Sequence, residues 1–315
     1  MTHRGTKAVG SIMLLLTAVI WGCSFVAQSE AMDYMGPLTF QAARSFVGGV
    51  VLLPVIPFSS RAKKKSCASS NTAIGGRKKL IKTGVLCGGV MFAAAMLQQY
   101  GIALGTPSGK AGFITATYIL LVPLFGLFRG KRVALRIWIC VLAALCGLYL
   151  LCGTGSLSVS PSDGIVLLGA VFWALHILVI DYMAPGLDGV QLSCIQFFVS
   201  GILAMAGMFI FESPSWQQLI NGWGTIAYVG ILSSGVAYTL QILGQQRTEP
   251  AIASLLMSFE SVFAVLGGIV VLGQFPTTRE WIACALMFTA IVCAQLPGRR
   301  KANAASSQSP PSEEP

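Results

Sequence analysis

Hydrophobic residues occupy most positions of this chain, in long runs that short polar segments separate. Runs of about 18 or more apolar residues are typical of membrane helices, because ~20 helical residues cross the hydrocarbon core of a bilayer. The pattern predicts ten such helices, numbered here as spans 1 to 10, at residues 8–27, 36–57, 81–103, 109–128, 134–153, 163–182, 190–211, 222–245, 250–273 and 279–296. We therefore expect an all-α, polytopic membrane protein.

Two longer polar segments lie outside these spans. Residues 58–79 read FSSRAKKKSCASSNTAIGGRKK, and residues 297–315 read PGRRKANAASSQSPPSEEP. Neither segment has enough apolar residues to bury a core. We expect a basic cytoplasmic loop at 58–79 and a disordered cytoplasmic tail at 297–315.

The composition agrees with a membrane protein. Hydrophobic residues make up 55% of the chain and charged residues only 10%, and the mean hydropathy is +0.75. Roughly 25% of the residues of a soluble domain are charged. Water is therefore the wrong solvent for most of this surface.

The net charge of +10 carries information about orientation. Seventeen of the 21 Lys and Arg residues fall on one side if the spans alternate from an internal N-terminus, whereas Glu30, Asp33, Asp163 and Glu212 fall on the other. Because basic loops tend to stay in the cytoplasm, we expect both termini to be cytoplasmic and the protein to lie in the cell membrane. No basic soluble module with interleaved aromatic residues is present, so we expect no nucleic-acid partner.

The two halves of the chain repeat each other. The segment LLTAVIWG (15–22) recurs as LLGAVFWA (167–174), which aligns Trp21 with Trp173. The segment LQQYGIALGTP (97–107) recurs as LQILGQQRTEP (240–250), which aligns Gln98 with Gln241.

This repetition predicts two five-helix units, at 8–153 and 163–296. Because five is odd, the second unit would enter the membrane in the opposite orientation. Such 5+5 inverted repeats are an architecture of secondary transporters, whose substrate sites lie near the midplane between the repeats.

Two stretches resemble the EamA-type permeases of the drug/metabolite transporter superfamily. They are LQQYGIALGTPSGKAGFITATYILLVPLFGLF (97–128) and AYTLQILGQQRTEPAIASLLMSFESVFAVLGG (237–268). Glu260 matches the glutamate of the family's ninth-helix pattern, while Ser261 and Gln274 stand where a proline and a closing glutamate are common. The resemblance implies a ten-helix inner-membrane carrier. It leaves the substrate open, since related permeases carry amino acids, other metabolites, nucleotide-linked sugars or drugs.

Glu260 and Arg44 are the charged residues that stand out inside the spans. A carboxylate at the centre of a membrane helix costs roughly 2.5–3.5 kcal/mol, so Glu260 is not expected to face lipid. Glu260 either lines a cavity, where it binds a cationic group or carries a proton, or acts as a strut that pairs with a buried donor. Arg44 is its most plausible partner, directly or through substrate.

Polar and aromatic residues suggest the rest of a binding site. Span 8 carries Ser234, Tyr238, Gln241 and Gln245 at i, i+4, i+7 and i+11, a polar stripe that should point to protein or water. Each residue could instead make an interhelical hydrogen bond, and the tryptophans could be packing residues. With Glu260 and Arg44, the substrate-binding candidates are Trp21, Gln98, Thr115, Tyr118, Trp173, His176, Tyr238 and Gln241.

Catalytic and metal chemistry receive little support. His176 and Asp181 show the H-x4-D spacing of some acyltransferases, but residues five apart on a regular helix point about 140° apart. Lys110 follows GTPSG, which fails the order of a phosphate-binding loop, and its side chain is expected to snorkel at a helix start. The nine cysteines are scattered and contain no CxxC pair, so we expect no metal and no cofactor.

These patterns favour a secondary transporter that moves a small metabolite, amino acid or drug-like compound by alternating access, with export as the expected direction. Its expected partners are the substrate, the lipid bilayer and protons, with Glu260 as the proton-coupling candidate, in a monomer or homodimer. The alternative is an intramembrane enzyme acting on lipid-like substrates. That activity would need a converging set of acids, bases or metal ligands, such as HExxH, which the sequence lacks.

Overall fold

The computed structural model of the chain describes residues 3–59, 73–106, 108–128, 130, 133–152, 160–263 and 277–295. Within these ranges the ordered backbone is helical and contains no β-strand. The all-α class predicted from the sequence is confirmed. The last part of span 9 and the tail at 297–315 lie outside the described residues.

The helices of the first half are α1 (His3–Gly22), α2 (Ser24–Ala31), α3 (Pro37–Leu52), α4 (Ala73–Ala103), α5 (Ser108–Ala116), α6 (Tyr118–Phe128) and α7 (Leu135–Cys152). A short 3-10 helix, Leu53–Val55, continues α3. The helices of the second half are α8 (Pro161–Met183), α9 (Gly189–Phe211), α10 (Trp216–Asn221), α11 (Trp223–Ala227), α12 (Tyr238–Gln245), α13 (Pro250–Met257) and α14 (Thr278–Gln295). A π-helix, Tyr228–Ala237, joins α11 to α12.

Seven helical runs among the described residues are long and apolar enough to cross a membrane. They are Ala8–Ala31, Pro37–Ser59, Gly76–Ala103, Lys110–Phe128, Pro161–Met183, Gly189–Phe211 and Trp223–Gln245. Three shorter apolar helices, Leu135–Leu150, Pro250–Phe263 and Trp281–Ala294, coincide with predicted spans 5, 9 and 10.

The third helix begins earlier than the sequence pattern indicated. Residues 73–79, placed in the basic loop, already form the first two turns of α4. The apolar pattern ends at these basic residues because they are polar, but Lys and Arg are good helix formers. Of the predicted loop 58–79, residues 60–72 lie outside the described residues.

Besides the 3-10 helix Leu53–Val55, interruptions occur in three of the seven membrane-sized runs and in the shorter apolar helix Pro250–Phe263. The helical run from α1 to α2 breaks at Cys23, and the run from α5 to α6 breaks at Thr117. The run that starts with α13 breaks at Ser258 and Phe259, and helical backbone resumes at Glu260. The fourth interruption is the π-helix Tyr228–Ala237, and widened turns of this kind occur frequently at functional sites.

The break at Ser258 occurs without the proline that is common nearby in the resembled permeases. The Ser258 hydroxyl donates to the Leu255 carbonyl at 2.8 Å, and the Phe259 N–H bonds to the Leu256 carbonyl, three residues back. A serine hydroxyl that competes for a backbone carbonyl in this way bends a helix. The break between α5 and α6 also has a hydroxyl-bearing residue, Thr117, whose hydroxyl donates to the Ile114 carbonyl at 2.6 Å.

Helices of the two halves pack against each other throughout. The main contacts join α4 to α8 and α9, α3 to α9, α7 to α14, and α1 to α12 and α13. Glycines allow several close approaches, among them those at Gly101 and Gly244. A Cβ at Gly101 would lie 2.2 Å from Val166 Cγ2, and a Cβ at Gly244 would lie 2.7 Å from Leu14 Cγ.

Two carboxylates tie the halves together near the helix ends. Asp163, at the start of α8, accepts from Lys110 Nζ at 2.5 Å and from Thr106 Oγ1 at 3.2 Å. Glu212, just after α9, accepts from the backbone N–H groups of Leu38 and Thr39 at 2.8 Å each. It therefore caps the N-terminus of α3, where negative charge is favourable.

Candidate functional site

A cavity lies between the two halves, next to the helix interruptions. The residues that line it are Trp21, Ser24, Phe25, Gln28, Arg44, Gln98, Thr115, Tyr118, Trp173, Ile177, Ser233, Tyr238, Gln241, Met257 and Glu260. The first-half members come from α1 to α6, and the others come from α8, the π-helix, α12, and the run that contains α13.

Nine of the ten candidates derived from the sequence line this cavity, although they lie far apart along the chain. The tenth, His176, is fully buried outside the lining. Its Nε2 lies 3.1 Å from Gln196 Oε1, and its ring packs edge-on against Trp173 with a centroid separation of 5.9 Å. His176 therefore supports an aromatic residue of the cavity wall.

Glu260 stands directly after the break in its helix. Its side chain is only 4% exposed, and among the described residues it has no hydrogen bond and no ion pair. The interrupted backbone places it beside Met257, which also lines the cavity. An unpaired carboxylate in such a place needs a proton, water or a cationic ligand to offset its loss of hydration.

Arg44 provides the positive charge of the cavity and is 5% exposed. Its Nε donates to Gln41 Oε1 at 2.6 Å, and its Nη1 makes a long contact of 3.4 Å to Gln28 Oε1. Its Cζ lies 5.6 Å from the centre of the Phe40 ring. The part of the chain that the structure describes contains no ion pair to Arg44, so Arg44 and Glu260 share the cavity without bonding to each other.

Gln28 is a central polar residue that the sequence reasoning missed. Its Oε1 accepts from Gln98 Nε2 at 3.3 Å as well as from Arg44, and its backbone carbonyl accepts from Gln99 Nε2 at 3.0 Å. The available signal was the spacing of Trp21, Ser24 and Gln28 at i, i+3 and i+7, which places three polar groups on one helix face. The prediction ended span 1 at residue 27 and so excluded Gln28.

Gln98 connects this polar group to the second half of the chain. Its Oε1 accepts from Trp173 Nε1 at 2.9 Å and from Thr115 Oγ1 at 3.4 Å. Trp173 is thereby fixed at the cavity wall by a hydrogen bond from its indole. Trp21 is fixed similarly, because its Nε1 donates to the Ser233 carbonyl at 3.3 Å.

Aromatic rings form one wall of the cavity around Tyr238. The Tyr238 ring lies 4.7 Å from the Trp21 ring and 6.0 Å from the Trp173 ring, measured between centroids. Phe197 closes the group from behind at 5.3 Å. These separations are those of favourable aromatic pairs, and the wall can stack against a flat or cationic group of a ligand.

The polar stripe of span 8 is divided between two environments. Tyr238 and Gln241 line the cavity, whereas Ser234 and Gln245 do not. A Cβ at Gly48 would lie 2.8 Å from Ser234 Cβ, so Ser234 faces α3. All four residues are buried in the protein, and two of them reach the cavity.

Two polar atoms of the lining have no hydrogen-bond partner within the described ranges. They are Gln241 Oε1 and the Tyr118 hydroxyl, and both residues are more than nine-tenths buried. Buried polar atoms in proteins are nearly always satisfied, by protein, water or ligand. The cavity therefore presents one cation, one anion and unsatisfied polar atoms behind an aromatic wall.

A model of the EamA-like transporter family matches the chain twice, over residues 8–153 and 161–295. These matches cover most of the sequence. The chain belongs to the EamA-like transporter family. As a member it is a multi-pass membrane protein, and its membership points to transport rather than catalysis.

Relatives in distant microorganisms agree with this assignment. An uncharacterized transporter of Archaeoglobus fulgidus is 26% identical over 90% of this chain and 84% of its own length. The uncharacterized transporter YwfM of Bacillus subtilis is 26% identical over 93% of this chain and 96% of its own length. The uncharacterized inner membrane transporter YedA of Escherichia coli is 24% identical over 88% of both chains.

A protein of known crystal structure has a similar fold. It superposes with a TM-score of 0.72 over 91% of this chain and 96% of its own, at 18% sequence identity. At this identity the likeness concerns the fold alone. The two chains therefore share the same overall arrangement of helices.

Proposed function

We propose that this protein is a secondary transporter that exports a small metabolite, amino acid or drug-like compound across the cytoplasmic membrane by alternating access. The observation that carries the proposal is the cavity, which both halves of the chain line and which holds Arg44 and Glu260 without a mutual ion pair. Alternating access needs a ligand site between two bodies that can move relative to each other. The cavity supports the proposal because both halves of the chain line it.

We further propose that the protein has ten membrane helices in a 5+5 inverted repeat. The contacts between helices support this proposal, because each main contact has a counterpart when the halves are exchanged. The contact of α4 with α8 corresponds to that of α12 with α1, and the contact of α4 with α9 corresponds to that of the π-helix with α3. The two family matches, one on each half, support it as well.

The close-approach glycines provide a residue-level argument for the repeat. Gly101 approaches Val166 and the Ser162 carbonyl, while Gly244 approaches Leu14 and the Gly10 carbonyl. The sequence repeat aligns Gly101 with Gly244, and the offset of Trp21 from Trp173 aligns Leu14 with Val166. The same helix crossing is therefore built twice from equivalent positions.

The proposed orientation places both termini in the cytoplasm, on the basis of the Lys and Arg residues between the spans. In intact cells, a membrane-impermeant thiol reagent should then fail to label a cysteine introduced at Ser306 in the tail. It should label a cysteine introduced at Gln217, an exposed residue of α10. The native cysteines would first be replaced, and the reverse labelling pattern would contradict the orientation.

Transport is tested with purified protein in proteoliposomes. A pooled panel of labelled amino acids, other metabolites and cationic compounds is offered with and without an imposed pH gradient. We expect at least one compound to accumulate only in vesicles that contain the protein. A panel in which none moves faster than in empty vesicles, with correctly inserted protein, would count against the proposal.

Proton coupling through Glu260 is tested in the same vesicles. If the Glu260 carboxylate takes up a proton in one facing state and releases it in the other, Glu260→Gln should abolish the response of transport to the pH gradient. Glu30→Gln makes the same chemical change at an exposed position and is expected to keep that response. A Glu260→Gln protein that retains the full response would make Glu260 a binding or structural residue.

A further inference from the structure

From the cavity lining we infer that the transported substrate is a zwitterion, whose anionic group binds Arg44 and whose ammonium group binds Glu260. The inference rests on the proposed transport function and assigns its substrate class. It starts from charge. Arg44 and Glu260 are the charged members of the described lining, one of each sign, and both are more than nine-tenths buried.

The anionic end follows from the donors that remain on Arg44. Gln41 binds Nε at 2.6 Å and Gln28 contacts Nη1 only at 3.4 Å, and among the described residues Nη2 has no acceptor. A guanidinium offers five N–H donors in a planar fork that suits a carboxylate. A substrate carboxylate would therefore find an oriented cation with free donors.

The ammonium end follows from acceptors that lack donors. Glu260 has no hydrogen bond in the described part of the chain, and Gln241 Oε1 and the Tyr118 hydroxyl oxygen, both in the same lining, are unpartnered. An ammonium group carries three donors and no acceptor. One such group can offset the charge of Glu260 and donate to a neutral acceptor of the same lining.

The two ends belong to one ligand because they share a wall. Tyr238 lies in the lining together with both charged residues, and its ring stacks between Trp21 and Trp173. A purely cationic substrate would leave Arg44 without a counter-charge, and a purely anionic substrate would leave Glu260 without one. A buried charge without a counter-charge is costly, so a ligand that supplies both counter-charges is favoured over either half-ligand.

The experiment compares matched triads that share a side chain. Each triad contains an amino acid, the amine without its carboxylate and the acid without its amine, such as phenylalanine, phenethylamine and 3-phenylpropionate, or leucine, isoamylamine and 4-methylpentanoate. Binding is measured as ligand-dependent thermal stabilisation of the purified full-length protein. Uptake into proteoliposomes is measured in parallel.

We expect at least one zwitterion to bind roughly 10-fold or more tightly than both of its half-ligands, the loss expected for one unmade charged hydrogen bond. Arg44→Gln should reduce the preference for that amino acid over the amine that lacks the carboxylate. Glu260→Gln should reduce the preference for the amino acid over the acid that lacks the amine. Arg44→Lys should keep part of the preference, and Arg77→Gln and Glu30→Gln, at exposed positions, should keep all of it.

The comparison of the triads on the wild-type protein tests the inference even if a variant fails to fold. If no zwitterion in the panel binds better than both half-ligands, the inference is wrong, and tighter binding of the amines would indicate a cation site. If an amine is transported but zwitterions are not preferred, transport stands and the substrate class falls. If zwitterions bind selectively but none crosses the membrane, the substrate class stands and transport falls.

Discussion

At the residue scale, the cavity depends on a few amides that orient its charged and aromatic groups. Gln28 accepts from Arg44 and Gln98 through one oxygen, and Gln98 in turn accepts from Trp173. The first-half and second-half walls are thus joined through two glutamines. Such a network specifies a geometry only when its members are satisfied, because each lost acceptor leaves a buried donor behind.

We therefore expect Gln28→Leu, which keeps approximate side-chain volume, to reduce both stability and transport. The change removes the acceptor for Arg44 Nη1 and Gln98 Nε2, and an unsatisfied buried donor costs about 1–3 kcal/mol. Thermal unfolding of the purified protein measures the loss of stability. Gln217→Leu, at an exposed position of α10, is the matched control and should change little. Wild-type stability and uptake in Gln28→Leu would show that the network does not position the site.

The same residues show how far the sequence could predict the site. Arg44, Glu260 and the tryptophans could be found because a charged or polar group inside an apolar run is costly and so conspicuous. Gln28 was missed because it lies beyond the assumed end of span 1. The π-helix Tyr228–Ala237 was not foreseen either, because side-chain directions along span 8 were derived from a regular α-helix. What escapes sequence reasoning here is local backbone geometry, on which the direction of every later side chain depends.

At the element scale, the helix crossings depend on the absence of side chains. Gly101 lets α4 approach α8, and Gly244 lets α12 approach α1. Membrane helices associate largely through such close packing, since lipid is as apolar as a leucine side chain. The interruptions at Thr117 and Ser258 act in the opposite direction, because they free backbone groups in the middle of apolar segments. Irregular backbone is tolerated there because protein and cavity surround it.

Gly101→Ala and Gly244→Ala should each lower the melting temperature of the purified protein. The new methyl groups would lie 2.2 Å from Val166 Cγ2 and 2.7 Å from Leu14 Cγ, so one helix of each pair must shift. Overpacking of this kind typically costs about 1–3 kcal/mol. Gly89→Ala is the matched control, since nothing lies within 4 Å of a Cβ there, and alanine favours a helix. If all three variants have the same melting temperature, the glycine contacts do not control these helix crossings.

At the scale of the whole molecule, the charges are arranged differently in the cavity and at the helix ends. In the cavity, Arg44 and Glu260 do not form an ion pair. At the helix ends, Asp163 binds Lys110 and Glu212 binds the N-terminus of α3. Each of these contacts joins a first-half element to a second-half element. In the proposed orientation both lie on the outer side, and we expect them to hold that side closed.

Removing the two carboxylate contacts should therefore favour the state that is open to the outside. We expect Asp163→Asn and Glu212→Gln to increase the rate at which an impermeant maleimide, added to intact cells, labels a cysteine introduced at Ser24 in the cavity lining. Asp163 is only 4% exposed in its pair with Lys110, and a charge-assisted hydrogen bond contributes about 1.5–3 kcal/mol. The increase should therefore be roughly 10-fold or more, and larger for Glu212→Gln, which weakens bonds to two backbone N–H groups. Asp33→Asn, an exposed carboxylate of the same predicted side, is the control. A contact that only stabilises the fold would change the melting temperature without changing the population of the open state. If the variants melt at lower temperatures but label at the wild-type rate, both contacts are therefore structural.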